Sequence, residues 1–395
     1  MKKTTTLSIL GMILSAASLQ AQTIDIYLSG STAFRNNAER AITNLYAGNL
    51  LNQNPGGVGG AIGASKITFG GTIPALFGAT PVNIHCGFNG SLTGIDTLAK
   101  NITVSFFASP TNGDATSISV VPDLGFSDVF AGTVGDGFAN LIDNYVAVQP
   151  FCLVKDAVAS TSFTNVTHQQ LQDLLPNGVE ILSYFTGDTN DDSVSVHLVG
   201  RDQESGTRWT ASRDSGVAAQ DVAGEQLYFL NVAAPLVNGL YQWTNGFTGF
   251  TSGGNITTFL NNPAGGGRDS KTGPTLSYVG LADVFSAVLL TNVVTYDGHL
   301  PWGNFITNAS ASSFTNDFSP IIKGNYSLWS IEHLFELPKP SSVTPKWQNA
   351  DTLATNLVSL IDSDINTIAP KNAIRLSEMK VTRKDDGGVI TPGNF

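Results

Sequence analysis

The sequence predicts an α/β protein built as two lobes, and three observations carry that prediction. Strand-type alternation and helix-type spacing of apolar residues follow one another along the whole chain, the pattern of layered α/β folds. The 395 residues are 42% hydrophobic, enough for two cores rather than one. Several strands also run into short turns of Gly, Ser and Thr that open directly into helices.

At the N-terminus, Lys2 and Lys3 precede a largely apolar stretch from Leu7 to Ala17, and Leu19-Gln20-Ala21 ends it in small residues. This layout predicts a secretory signal peptide over 1–21 and a periplasmic or secreted mature chain. The apolar stretch is short for a membrane span, and no cysteine follows it to take a lipid. Cleavage removes two lysines, so the formal charge goes from −11 to −13. An acidic surface argues against nucleic acid and anionic membrane as partners. It does not argue against a small anion, whose binding depends on local donors. Cys86 and Cys152 lack metal-ligand spacing, and whether they pair stays open.

Ile24, Ile26 and Leu28 alternate as a first strand, Gly30-Ser31-Thr32 breaks it, and Ala38, Ala41, Ile42 and Leu45 follow at helical spacing. Residues 54–82 are Gly-rich without the spacing of a dinucleotide loop, and read as irregular with one or two short strands. Ser91 and Thr93 precede a helix-like Ile95–Leu98, and the apolar run from Val120 ends on Gly125-Phe126-Ser127-Asp128. Asn144–Asp156 is a long strand-type run suited to crossing between lobes, and Thr167 caps a helix whose face is Leu171, Leu174 and Leu175. Val194, Val196 and Leu198 lead into Arg201, after which Ser205-Gly206-Thr207 starts a helix. A helix over Gly253–Asn262, a strand from Leu276, an apolar strand within Gly324–Leu337 and an amphipathic helix over Ala350–Ile365 complete the order. The polar tail after Glu378 is expected to pair at an edge or stay loose. These elements divide as lobe 1 over 22–148 plus 327–395 and lobe 2 over 149–326, with crossings near 145–152 and 320–330.

The small-residue turns make one feature if their strands are parallel neighbours, because ligands of open α/β sheets sit beyond the carboxyl ends of the strands. Ser and Thr hydroxyls and the free N–H groups of helix starts then line a cleft suited to a tetrahedral oxyanion. Arg201 adds a charge-assisted contact. Asp128 suits a protonated phosphate, whose O–H it can accept, and repels fully deprotonated sulfate.

In this order the motifs resemble the phosphate-binding periplasmic proteins of ABC importers, within the type 2 periplasmic binding protein superfamily. Residues 28–34 are similar to the first loop of that family, Gly90-Ser91 with Gly94-Ile95 to its Gly-Ser-x-x-Gly turn, and Gly125 to Asp128 to its Gly-x-Ser-Asp element. Thr164 to Gly187 resembles its Leu-Thr-x-x-Gln-Leu…Gly segment. Arg201 to Arg208 matches its Arg-x-x-x-Ser-Gly-Thr motif, and Ser277 to Gly280 its Gly-Tyr-Val strand. The resemblance implies a two-lobe type 2 periplasmic binding protein fold with an interlobe cleft. Its ligand-binding set would be Ser31, Thr32, the Ala33 amide, Ser91, Asp128, Arg201, Ser205, Gly206 and Thr207. It implies inorganic phosphate or a similar oxyanion as ligand, the membrane subunits of an ABC transporter as partners, a monomer, and no cofactor. Three features depart from the family pattern: Gln203 stands where an Asp is usual, Glu204 replaces a Gly, and the chain between Ser91 and Asp128 is longer.

Other readings are weaker. Asp188-x-Asn190-x-Asp192 lacks the Gly and Glu of a calcium loop and reads as a solvated turn. The five histidines are scattered, with no pair suited to zinc. No GxSxG elbow accompanies Ser127 or Ser205 and no histidine is placed as a base, so an enzyme is not expected. The alternatives left are a cell-surface structural or adhesion protein on the same fold, recognisable by an unlined cleft, and a phosphate-ester hydrolase, recognisable by turnover.

Overall fold

A computed structural model describes residues 22–57, 62–135, 140–156, 159, 161–217, 228–231, 242–245, 249–261, 273–286, 290–303, 317–363 and 373–395. The predicted signal peptide over 1–21 lies outside the described residues.

The chain begins β1 (Ile24–Gly30), α1 (Arg35–Leu45), β2 (Leu50–Asn54), β3 (Lys66–Thr72), α2 (Pro74–Phe77), β4 (Pro81–Gly87) and α3 (Ser91–Ala99). It continues with β5 (Val104–Phe107), β6 (Ser117–Val120), β7 (Leu124–Ser127), α4 (Ala131–Val134) and the long β8 (Ile142–Lys155). The middle of the chain forms β9 (Asn165–Val166), α5 (His168–Asn177), β10 (Val179–Ile181), α6 (Ser183–Thr186), β11 (Ser195–Val199) and α7 (Gly206–Asp214). After these come β12 (Tyr228–Asn231), β13 (Gln242–Asn245), α8 (Gly253–Asn261), β14 (Thr275–Gly280), α9 (Leu281–Ser286) and β15 (Val293–Tyr296). The last are α10 (Ser319–Ile322), β16 (Trp329–Glu336), α11 (Pro345–Ser363), β17 (Val381–Thr382) and β18 (Thr391–Pro392).

Strand order is β10-β11-β14-β8-β16-β7-β1-β4-β3-β2, a single hydrogen-bonded path through two large hydrophobic cores, beside which Ile95, Leu98, Val129, Ala131, Trp209 and Phe335 form a smaller cluster. The path is continuous because β8 serves both halves. Its residues up to Pro150 pair antiparallel with β16, and from Phe151 onward it pairs with β14. One core packs β1, β3 and β4 against α1 and α11 through Ile26, Leu28, Ala38, Ile42, Leu353 and Leu357. The other packs β8, β11 and β14 against α5 and α8 through Leu153, Leu171, Leu174, Leu198, Ile256 and Val279. The Thr167 cap forms as a full capping box, with Gln170 returning the bond.

Cys86 and Cys152 are both buried and unpaired, one in each core. The extra chain between Ser91 and Asp128 contains the β5–β6 hairpin, packed on β3 and β4. Asp188 to Asp192 is an exposed turn in which Asp188 accepts a bond from its own neighbour, Asn190. The C-terminal tail departs from expectation. It forms its own β17–β18 pair and buries Arg383 and Asp386. Arg383 lies 4.0 Å from the Trp329 ring, 3.4 Å from Asp214 Oδ1 and 2.6 Å from the Ser327 carbonyl. Those partners are what make a buried arginine, and hence an ordered tail, tolerable.

Candidate functional site

Strands β1, β4 and β7 run parallel, as do β11 and β14. The turns singled out in the sequence therefore leave the same kind of strand end, the carboxyl end where such sheets collect ligands. Ser31 and Thr32 follow β1, Ser91 follows β4, Asp128 follows β7, Arg201 follows β11, and Asp283 follows β14. The arrangement depends on close backbone approach. A side chain at Gly94 would collide with the Phe126 carbonyl, so its absence lets α3 lie directly on the ends of β1 and β7.

Arg201 is fully buried, and its orientation is over-determined. Nε donates to the Phe250 carbonyl at 3.0 Å, and Nη2 donates to the Thr251 carbonyl at 3.1 Å and to Thr32 Oγ1 at 3.0 Å. These bonds occupy Nε and Nη2 and fix the guanidinium plane. Burial works against its charge, while Asp202, Asp283 and Asp128 favour it. Asp283 in turn stands 3.9 Å from Arg35 at the start of α1.

Helix α7 begins at the same place. Ser205 is its N-cap and accepts from the Arg208 amide at 3.3 Å, which leaves the hydroxyl hydrogen free to donate. Gly206 comes next and touches Asp128 and Ser91; a Cβ there would overlap the Asp128 carboxyl. Thr207 is buried in the first turn. Helices α1, α3 and α7 thus present their N-terminal ends, with positive dipole character, around one point.

Asp128 is buried, and neither carboxyl oxygen completes a hydrogen bond within the protein. Burial raises its pKa to about 6, against the opposing pull of the Ser91 hydroxyl, which faces it short of full bonding geometry, and of Arg201 and His333. An acceptor held without a donor in the interior costs free energy unless a partner arrives.

The two lobes touch here. Besides the Arg201–Thr32 and Arg35–Asp283 contacts, Thr93 Oγ1 donates to Glu204 Oε2 at 3.1 Å, and the Leu92 amide donates to the Glu204 carbonyl at 3.2 Å. Glu204, an outlier in the sequence pattern, is part of the contact between lobes.

Every residue predicted for the site lies in this region. Thr32 and Arg201 are bonded, and Ser91, Asp128 and Gly206 are in contact. Ser31 sits at the end of β1 with its amide on the Phe126 carbonyl and its hydroxyl accepting from Phe34. Ala33 packs against Gly280 beside Asp283. Sequence reading missed Phe250 and Thr251, which act through main-chain oxygens and carry no side-chain signal. It also missed Arg35 and Asp283, and it missed Glu332, a fully buried carboxyl on β16 beside Ser31 and Asp128.

No metal-ligating cluster occurs among the described residues, and none of their helices is long and apolar enough to cross a membrane. No family model matches the chain, and no curated protein does. Solved structures do. A substrate-binding protein assigned to a phosphate ABC transporter of Clostridium perfringens, solved with bound phosphate, is 13% identical with a TM-score of 0.50, over 89% of this chain and 99% of that one. An ABC-type phosphate transport receptor from Vibrio cholerae is 14% identical with a TM-score of 0.45, over 87% and 96%. The reduced regulatory domain of OxyR2 from Vibrio vulnificus is 9% identical with a TM-score of 0.37, over 86% and 96%. The mixed α/β fold is that of type 2 periplasmic binding proteins over most of the chain. At such identities the likeness concerns the fold, and function has to be argued from the site.

Proposed function

We propose that the chain is an exported solute-binding protein that captures phosphate, or a closely related tetrahedral oxyanion, between its lobes for an ABC importer. The observation that carries this reading is the convergence of three helix N-termini, a buried arginine and a buried acceptor from four separate stretches of chain. Arg201 supplies the cation. The hydroxyls of Ser31, Thr32, Ser91, Ser205 and Thr207 and the amides of Ala33 and Gly206 supply donors. Asp128 accepts a hydrogen bond from the O–H that phosphate carries and sulfate lacks. A surface or adhesion protein has no use for buried, unpaired polar atoms between its lobes, and an ester hydrolase needs a nucleophile with a base beside it.

The test is calorimetric titration of phosphate and sulfate into the wild type and Asp128→Asn. Phosphate should bind the wild type far more tightly than sulfate. Asp128→Asn replaces an acceptor-only group by an amide that also donates, so phosphate should weaken and sulfate gain. Equal affinities in the wild type would remove Asp128 from the site, and absence of both would remove the function. Hydrolysis of a chromogenic phosphomonoester that disappears in Asp128→Ala would favour an enzyme.

A further inference from the structure

Strands β7 and β16 run antiparallel with His333 opposite Ser127 and Leu334 opposite Phe126. The pairing ends at the His333–Ser127 rung, and the next residues on the two chains are Asp128, just beyond β7, and Glu332 on β16. Both therefore follow the same last rung, and the Asp128 charge acts on the Glu332 carboxyl. Both are buried, and neither completes a hydrogen bond through either oxygen. Glu332 faces the Ser31 hydroxyl, whose oxygen already accepts from the Phe34 amide at 3.3 Å.

Two neighbouring carboxylates away from water do not both ionise readily, and an incoming anion makes a second negative charge there harder still to hold. Protonation resolves the conflict and changes the hydrogen bonding. An ionised Glu332 is an acceptor only and draws the Ser31 hydroxyl hydrogen toward itself. A neutral Glu332 donates its own O–H to Ser31 Oγ, filling that oxygen's second lone pair and turning the Ser31 hydrogen toward the anion.

We propose that Glu332 is a further residue of the anion site, a carboxyl that must carry a proton while the anion is bound, so that anion capture draws a proton from solvent whenever Glu332 is ionised beforehand. This rests on the function proposed above and makes capture proton-coupled. The environment is consistent with it. Burial, and next the Asp128 charge, push the Glu332 carboxyl well above the usual range, against the Ser31 hydroxyl. The other charged or titratable groups around the pair are few. His333 is the next residue on β16, held by Asp143 of β8 at 2.7 Å. Asp386 comes from the C-terminal segment, with the Phe130 amide on its carboxyl at 3.0 Å. Arg201 and Asp283 stand on the second lobe. Because the proton is bound more tightly with the anion present, affinity holds at low pH and falls as pH rises through the Glu332 titration.

The experiment compares phosphate affinity of the wild type and Glu332→Gln across pH 6 to 9.5. The titration of phosphate itself is common to both and cancels in their ratio. The two should bind within a few-fold of each other at the acid end, and the wild type should then lose about tenfold per pH unit relative to Glu332→Gln once Glu332 titrates. A ratio independent of pH overturns the proposal. Should Glu332→Gln not fold, sulfate is titrated into Asp128→Asn at alkaline pH in buffers of different ionisation heat. Sulfate does not titrate there, so proton uptake approaching about one per anion is expected from Glu332, and zero uptake overturns the proposal. Failure of every protein to bind either anion at any pH overturns the functional reading and this inference with it. Binding with unchanged pH dependence overturns this inference alone.

Discussion

The two lobes contribute opposite materials to the candidate site. The second lobe brings its cation and the start of α7 in one run, Arg201 to Arg208, with the guanidinium clamped by the carbonyls of Phe250 and Thr251. The first lobe brings hydroxyls, helix starts and two buried carboxyls, from places as distant in sequence as Ser31 and Glu332. The cation is therefore held by one local run, and the buried acceptors are brought together by the fold from distant stretches. Affinity should reside mainly in the first kind of construction and selectivity in the second.

The largest expected effect breaks that division directly. Arg201→Ala should weaken phosphate by roughly 2–5 kcal/mol, about thirtyfold or more, because a buried anion loses its cation. Ser91→Ala on the other lobe should cost only about 0.5–1.5 kcal/mol, the worth of one hydrogen bond. Arg201→Lys should behave more like the alanine variant than like wild type, since an ammonium cannot hold the Phe250, Thr251 and Thr32 bonds together. Titration calorimetry of the three variants checks this. Comparable losses for Arg201→Ala and Ser91→Ala would show that the lobes share affinity evenly.

The same asymmetry explains what could be read from the sequence. Arg201 to Thr207 is legible because a contiguous motif needs no fold to bring it together. The first-lobe joints are individually weak and gain meaning only from their order, through the resemblance to phosphate-binding proteins. Glu332 was not legible at all. In the run from Gly324 to Leu337 the polar pair Glu332-His333 looks like the solvent side of a strand. Only the fold, which buries every residue of β16, puts it in the interior next to the end of β7. The ordered tail escaped for a similar reason, because Arg383 is polar in sequence and buried in fact, held by Asp214, Ser327 and the Trp329 ring. Most of the strand and helix order was legible, since periodicity is a local property, but the Gly-rich stretch that forms β3 and α2 and the β5–β6 hairpin were not.

A smaller effect sharpens the comparison at the line where the halves meet. Gly206 touches Asp128 and Ser91, and a methyl group there would overlap the Asp128 carboxyl. Gly206→Ala should cost about 1–3 kcal/mol of overpacking, and the strain is relieved by keeping the lobes apart rather than by disturbing either core. Anion affinity should fall by about tenfold or more, thermal stability without anion should stay near wild type, and small-angle scattering should show a larger radius of gyration. A large drop in melting temperature without anion would place Gly206 in a folding core instead of at a closure surface.

The smallest effect concerns Glu204, where the second lobe breaks its own rule by carrying a negative charge to the site's edge. Its carboxyl accepts from Thr93 Oγ1 across the lobes at 3.1 Å, so it both assists closure and opposes the anion. Two substitutions separate those roles. Glu204→Gln keeps an acceptor for Thr93 and removes the charge, so phosphate affinity should rise a few-fold at low ionic strength, with the gain shrinking as salt screens it. Glu204→Ala removes both, so its affinity should lie below that of Glu204→Gln by the worth of one partly exposed hydrogen bond, about 0.5–1 kcal/mol. Identical salt dependence in wild type and Glu204→Gln would mean that the ligand does not sense this charge, and that Glu204 serves closure alone.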